Sequence, residues 1–298
     1  MPSTNTIYVV AQQTVWNQND ATIGYAVQGT NLYGPLGTKQ ASSFPIAPAA
    51  DPIARLQAAS SFGATVDWAG NDAGSYTPRV YRGTWEAGWH TFPLLLTDAE
   101  KQEYLTATEQ EQILCGDLAD IARTVSPNPS NRTAWGSRIR NLLIVACTEA
   151  ESQMKGILKA NGAIATFKHF TTVDYVKLVK PMRLDDYSLR LTRYRDYGLV
   201  EPFKGWNAAA GNASLPWYDA YNKTKHDREA DFNQATLEHV ISAVASLSVL
   251  LLAQYGPDAL GPAHNAFFAL EAGATWSHKD RTYAPPSGGQ WTPVPYQF

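Results

Sequence analysis

Between Val240 and Ala253 the chain carries its longest apolar segment, interrupted only by Ser242, Ser246 and Ser248. Crossing a bilayer takes about 20 consecutive apolar residues, so this run reads as a core helix. It sits in a helical pattern from about Asp231 to Tyr255, in which Leu237, Val240, Ile241, Val244, Leu247 and Leu251 form the buried stripe and Gly256-Pro257 supplies the stop. A helix this apolar needs other helices to cover it, and the rest of the chain offers them.

Thr97-Asp98-Ala99-Glu100 is a capping box that starts a helix running to Val125, with Tyr104, Ile113, Leu114, Leu118, Ile121 and Ala122 near helical spacing. Ser126-Pro127-Asn128-Pro129 ends it. A second helix aligns Trp135, Ile139, Leu142, Leu143, Ala146, Ala150, Met154, Ile157 and Leu158 on one stripe and stops at Asn161-Gly162. The two are expected to pair antiparallel. From Lys168 to Trp206 the period falls to two, with Tyr187, Leu189 and Leu191 opposed to Ser188, Arg190 and Thr192, which predicts a short β-ribbon near Tyr187 to Tyr194. Helix resumes after Ser214-Leu215-Pro216, and a last helix is expected around Ala263 to Glu271.

The first third differs in composition. From Met1 to Phe92 charges are sparse; Ile7 to Trp16 and Thr22 to Gln28 look like strands, and Gly34 to Pro52 is rich in breakers, with a helical turn expected at Asp51-Pro52. Val80-Tyr81, Trp85 and Trp89 provide aromatic bulk for docking this segment. The expected organisation is a charge-poor, partly β segment over residues 1–95, a mainly α helical bundle with a β-ribbon insertion over 96–280, and an extended Pro/Gly tail over 281–298. The formal charge of −3, from 24 Lys+Arg and 27 Asp+Glu, excludes a chain coated in positive charge. It does not exclude a basic cleft, because Lys168 to Arg228 is locally basic. Cys115 and Cys147 lack metal-ligand spacing and read as reduced thiols, and Met1 to Thr6 carries no basic n-region; both point to a cytoplasmic protein. Neither a metal nor a cofactor is expected, since Glu-x-x-His pairs, His-Glu-x-x-His, a Walker loop and a Gly-x-Ser-x-Gly elbow are all missing from the sequence.

The residues most able to carry chemistry lie between Trp217 and Arg228. On a helix, Asn222, Lys223, His226 and Glu229 share one face, and Trp217, Tyr221, Lys225 and Arg228 an adjacent one. An imidazole can relay the proton of a ribose 2′-hydroxyl or of a leaving oxygen, while Lys and Arg stabilise charge growing on phosphate. This makes His226, Arg228, Asn222, Lys223 and Lys225 the catalytic candidates. Glu151 and Lys155, one turn apart on the second helix, together with Arg190, Arg193 and Lys204, are the candidate substrate contacts. The competing reading is packing: a histidine satisfied by a backbone carbonyl, beside solvated cations.

The string Pro202-Phe203-Lys204-Gly205-Trp206, then Pro216 through Arg228, then Ala235-Thr236-Leu237 before the apolar helix, resembles bacterial proteins related to the HEPN superfamily, as does the helix around Cys147 to Lys155. The resemblance spans roughly Trp135 to Tyr255. It implies a helical bundle, commonly dimeric, in a superfamily where many members are metal-independent ribonucleases of toxin-antitoxin and anti-phage systems. Their signature is an arginine, a polar residue and a histidine, with four to six residues between Arg and His. His226 matches the histidine and Asn222 the polar residue, while Tyr221 stands where the arginine belongs. The expected function is therefore an endoribonuclease of a bacterial toxin or defence system, acting on RNA as a homodimer or higher homo-oligomer with an antitoxin or defence partner and without a membrane. The alternatives are a catalytically inactive RNA- or protein-binding module and a structural or assembly protein.

Overall fold

The computed structural model describes residues 6–14, 17–28, 31–34, 42–45, 65–72, 74–85, 97–226, 228–260, 267–277, 279–283 and 290–298, with backbone alone for those up to 71 and for 84–85, 226, 228–229 and 283. The expected turn at Asp51-Pro52 and Trp89 lie outside the described residues. The chain divides into two compact units, one formed by residues 1–78, 82–91 and 275–295 and the other by 79–81, 92–274 and 296–298.

In the first unit, the segments read as strands hold β1 (Thr6–Thr14) and β2 (Asn17–Gln28), which form an antiparallel pair. β3 (Asn31–Gly34), β4 (Ser42–Pro45) and β5 (Thr65–Asp72) complete a five-stranded sheet in the order β4-β3-β2-β1-β5. The segment read as breakers thus contributes a strand. Two short strands follow, β6 (Ser75–Tyr76) and β7 (Thr84–Trp85).

The second unit is mainly helical. Helix α1 (Asp98–Thr124) opens with the expected capping box between Thr97 and Glu100, and α2 (Ser137–Ala160) buries Ile139, Leu142, Leu143, Ala146, Ala150, Met154, Ile157 and Leu158. Gly162, at φ +70°, turns the chain away after it, the conformation that glycine adopts at low cost. Two expected core residues fall outside: Ile113 is 49% and Trp135 56% exposed. The short helices α3 (Thr172–Tyr175) and α4 (Val179–Met182) lead to β8 (Ser188–Leu191), which pairs with β9 (Leu199–Val200). Then come α5 (Pro216–His226), α6 (Arg228–Asp231) and α7 (Leu237–Tyr255).

The expected α7 starts six residues late, because Thr236 rather than Asp231 caps it, accepting from His239 N. Its first free N–H groups find partners in the α1–α2 connection, Leu237 N donating to Ala134 O at 2.7 Å and Glu238 N to Arg132 O at 3.0 Å. This is the one described helix long and apolar enough to span a bilayer, and it is buried in the protein instead. Two of its serines are accommodated by hydrogen bonds, Ser246 Oγ donating locally to Ala243 O at 2.7 Å and Ser248 Oγ to the buried Glu111 carboxylate of α1 at 2.6 Å. Apolar residues all round the helix let α2 pack along it most extensively, with α1 and α5 also against it. α1 meets α2 less closely than it meets α7.

Two expectations are corrected. The segment expected to be a last helix contains β10 (Phe268–Ala272), antiparallel to β8, while residues 261–266 lie outside the described set. Tyr187, Leu189 and Leu191 are buried as the alternation predicts, but β8 is the centre of a three-stranded sheet rather than part of a two-stranded ribbon. The helical spacing of Phe267, Phe268 and Leu270 is too short a run to outweigh the free edge of β8, where Thr192 N takes Phe267 O at 2.9 Å. Within residues 281–298, read as an extended tail, β11 (Thr282–Tyr283) pairs parallel with β7 and β12 (Thr292–Pro293) with β6, while residues 284–289 lie outside the described set.

A tripeptide from the N-terminal part of the chain belongs to the helical unit. Arg79, in the left-handed region at φ +56°, donates Nε to Gln254 Oε1 at 2.7 Å and Nη2 to Gln153 Oε1 at 2.9 Å, and pairs through Nη1 with Glu103. Three helices thus share one buried guanidinium. Val80 is buried, and Tyr81 N donates to Ala253 O of α7 at 2.9 Å, so Val80 and Tyr81 are part of the helical unit.

Candidate functional site

Helix α5 starts at Pro216, whose fixed φ and missing N–H suit a first helical position. Its first turn is fastened by Trp217, which is buried and donates Nε1 to Pro202 O at 2.7 Å. Phe203 stacks on Trp206 at 5.8 Å and meets Trp217 edge-on at 6.0 Å. The Pro202-to-Trp206 string is therefore a packing motif that seats α5. Of the aromatics near the basic segment, Tyr175, Tyr187, Tyr197, Trp206 and Trp217 are likewise buried in the core.

Beyond Trp217, α5 turns Tyr218, Tyr221 and Lys225 toward α2. Tyr218 donates its hydroxyl to Glu151 Oε1, and burial, reinforced by that carboxylate, pushes the phenol well above its ordinary value. Tyr175 of α3 joins the group: burial, then Glu151, Asp174 and Tyr221, push its hydroxyl up to about 12. Both phenols remain neutral, Tyr218 donating to Glu151 and Tyr175 to Phe170 O at 3.3 Å. Lys225 Nζ donates to Tyr221 OH at 2.8 Å and lies 4.9 Å from the centre of the same ring. That hydrogen bond holds the ammonium above its usual range against partial desolvation, with Glu151 and Cys147 adding to it.

The C-terminal end of α5 collects a further cation. Arg140 of α2 donates Nη2 to Thr224 O at 3.1 Å, two residues before His226, on one of the carbonyls that a helix end leaves without an intrahelical partner. Arg140 was not among the sequence candidates. Its position early in α2 carries no motif, and only the crossing of α2 and α5 brings it to the end of α5.

The nominated residues separate into groups. Glu151 and Lys225 come into electrostatic reach of each other through the tyrosines. Asn222 is half-buried on α5 and Lys155 is exposed on α2. Lys223 points outward and pairs with Asp219 at 2.8 Å. Arg190 of β8 is held by Glu271 across the sheet at 3.0 Å, Lys204 by Glu201 at 3.2 Å, and Arg193 is exposed in the turn after β8. His226 ends α5 and Arg228 begins α6; their side chains lie outside the described residues. Among the described residues no three His, Cys, Asp or Glu side chains gather as a metal-binding group. Burial first, and Glu151 next, raise the Cys147 thiol well above its ordinary value, with Lys225 opposing, so the cysteine beside this cluster is an inert packing residue. Compared with known proteins, the chain matches no family model, no curated protein and no solved structure.

Proposed function

We propose that this protein is a HEPN-like, metal-independent endoribonuclease of a bacterial toxin or anti-phage defence system, acting in the cytoplasm as a homodimer. The observation that carries the reading is the end of α5, where the Tyr221-braced Lys225 ammonium and the Arg140 guanidinium on Thr224 O flank the backbone of His226. In this reading His226 takes the proton of a ribose 2′-hydroxyl as O2′ bonds to phosphorus. The P–O5′ bond then breaks, and the proton is returned to the leaving O5′, giving a 2′,3′-cyclic phosphate and a 5′-hydroxyl. Lys225 and Arg140, with Arg228, offset the charge that grows on the non-bridging oxygens. Asn222 is the orienting amide.

The test is incubation of the purified protein with labelled single-stranded RNA and tRNA in the presence of chelator, beside His226→Ala. Cleavage by the wild type alone supports the mechanism; equal cleavage by both removes His226 from it. One observation favours a second reading, a catalytically inactive RNA-binding module: Lys223, Arg190 and Lys204 each already face a carboxylate. That reading expects no cleavage but salt-sensitive retention of RNA.

A further inference from the structure

After α2 the chain runs through an exposed loop before α3, and its composition is unusual for a surface. Ile164 is 88%, Phe167 62% and Val173 51% exposed, and Thr166, Lys168 and His169 are exposed as well. Single exposed apolar residues are ordinary; three in ten positions, around an aromatic followed by a lysine and a histidine, are not. The loop is also built to hold its shape. Asp174, buried at its foot, accepts from Thr166 N at 3.0 Å, from Thr166 Oγ1 at 2.5 Å and from Thr171 N at 3.0 Å. Lys177 closes the same carboxylate from outside at 3.4 Å. Burial works against this carboxylate's charge, but the hydrogen bonds of Thr166 and Thr171, then Lys177, outweigh it and lower its pKa.

Along the sequence, the exposed charges of the segment that holds the loop have one sign. Between residues 155 and 180 stand Lys155, Lys159, Lys168, Lys177 and Lys180, all exposed, and the single acidic residue in that interval is Asp174, which is buried and consumed by the loop. We propose that this Asp174-pinned loop is a docking tip for single-stranded RNA, in which Phe167 stacks on an unpaired base and Lys168, His169 and the flanking lysines meet the phosphates. Sequence-tolerant single-strand binding combines these two elements, a π-face and a basic track. Phe167 has a polar or basic neighbour on each side, Thr166 and Lys168, an arrangement suited to a base flanked by phosphates rather than to a continuous apolar wedge in lipid. The loop also leads toward the candidate site: α3, which follows it, packs against α2, the helix that carries Glu151.

The inference rests on RNA being the partner, as in the proposed function, but not on catalysis. The test is fluorescence anisotropy of the full chain with a labelled 2′-O-methyl single-stranded oligoribonucleotide, which has no nucleophilic 2′-hydroxyl and cannot be cut. Phe167→Ala is expected to weaken binding about tenfold, and Lys168→Ala to weaken it and flatten its salt dependence. Asp174→Asn, which loosens the loop without touching its tip, is expected to weaken binding as well. Circular dichroism of each variant verifies folding. Unaltered binding by Phe167→Ala and Lys168→Ala overturns the proposal, as does an absence of binding by the wild type. Loss of binding to phosphatidylserine vesicles in these variants, with RNA binding intact, overturns it in favour of a membrane. Should the wild type bind through the loop and cleave nothing, the nuclease reading fails and the docking tip stands; cleavage with loop-independent binding is the opposite result.

Discussion

Gly156 lies in the middle of α2, where alanine is ordinarily the better residue by about 1 kcal/mol. Here the sign is expected to reverse. A Cβ on residue 156 falls 2.2 Å from Arg79 Nη1 and 3.0 Å from its Cζ. Carbon contacts settle nearer about 3.5 Å, so the guanidinium must retreat by roughly 1 Å. A solvated arginine does this freely. Arg79 cannot, because its side chain is 8% exposed and its donors are engaged by Glu103, Gln153 and Gln254. Losing one or two hydrogen bonds from a charged donor costs about 1.5–3 kcal/mol each. Set against the helix gain, Gly156→Ala is predicted to destabilise the helical unit by about 2 kcal/mol. With a urea m-value of about 3 kcal/mol/M, the midpoint followed by far-UV circular dichroism falls by about 0.7 M. The companion experiment is the decisive one. In an Arg79→Gly background the obstacle is gone, the left-handed position suits the new residue, and Gly156→Ala should raise the midpoint. If Gly156→Ala stabilises the protein with Arg79 present, the guanidinium is not locked over α2 and the reasoning is wrong.

Three further outcomes follow from the buried polar groups. Asp174 has a lowered folded-state pKa, so its contribution is complete above the ordinary aspartate value near about 4 and is lost as pH falls through the folded value; urea midpoints of wild type and Asp174→Asn should converge on acidification below about pH 4 and diverge above it. Tyr218→Phe removes the hydroxyl that serves Glu151 and is expected to cost about 1–3 kcal/mol, read as a lowered thermal midpoint; an unchanged midpoint means that the bond adds nothing to stability. Cys147, 0% exposed with a raised thiol pKa, should resist iodoacetamide in the native protein and react only on unfolding, as peptide mass spectrometry will show, whereas rapid native labelling refutes its burial.

Much of the helical unit was legible because its signals are local. The Thr97–Glu100 capping box, the α2 stripe, the stop at Asn161-Gly162 and the proline start of α5 each lie within a few residues, and all are observed. The misreadings concern partners distant in the chain. Phe268–Ala272 is a strand because β8 offers it an edge, a fact held some eighty residues away. Residues 282–283 and 292–293 pair with strands near the start of the chain for the same reason. At the candidate site, the face of α5 that carries Tyr221 and Lys225 followed from helical spacing, whereas Glu151 meets Tyr218 and Lys155 is exposed. The Tyr221–Lys225 and Asp219–Lys223 pairs are likewise four residues apart within α5, whereas the reach of Arg140 to the end of α5 depended on how α2 crosses α5.

The sequence alone determined the long helices α1 and α2 and where they stop, that α7 is the apolar centre, and that the first third of the chain is poor in charge. Those properties come from periodicity, caps and composition, which act over one or two turns. The tertiary structure decided that Arg190 pairs with Glu271, which single guanidinium ties three helices together, and that one buried aspartate closes a loop with an aromatic at its tip. These contacts join groups that meet only after the chain has packed, and no spacing along the chain encodes them.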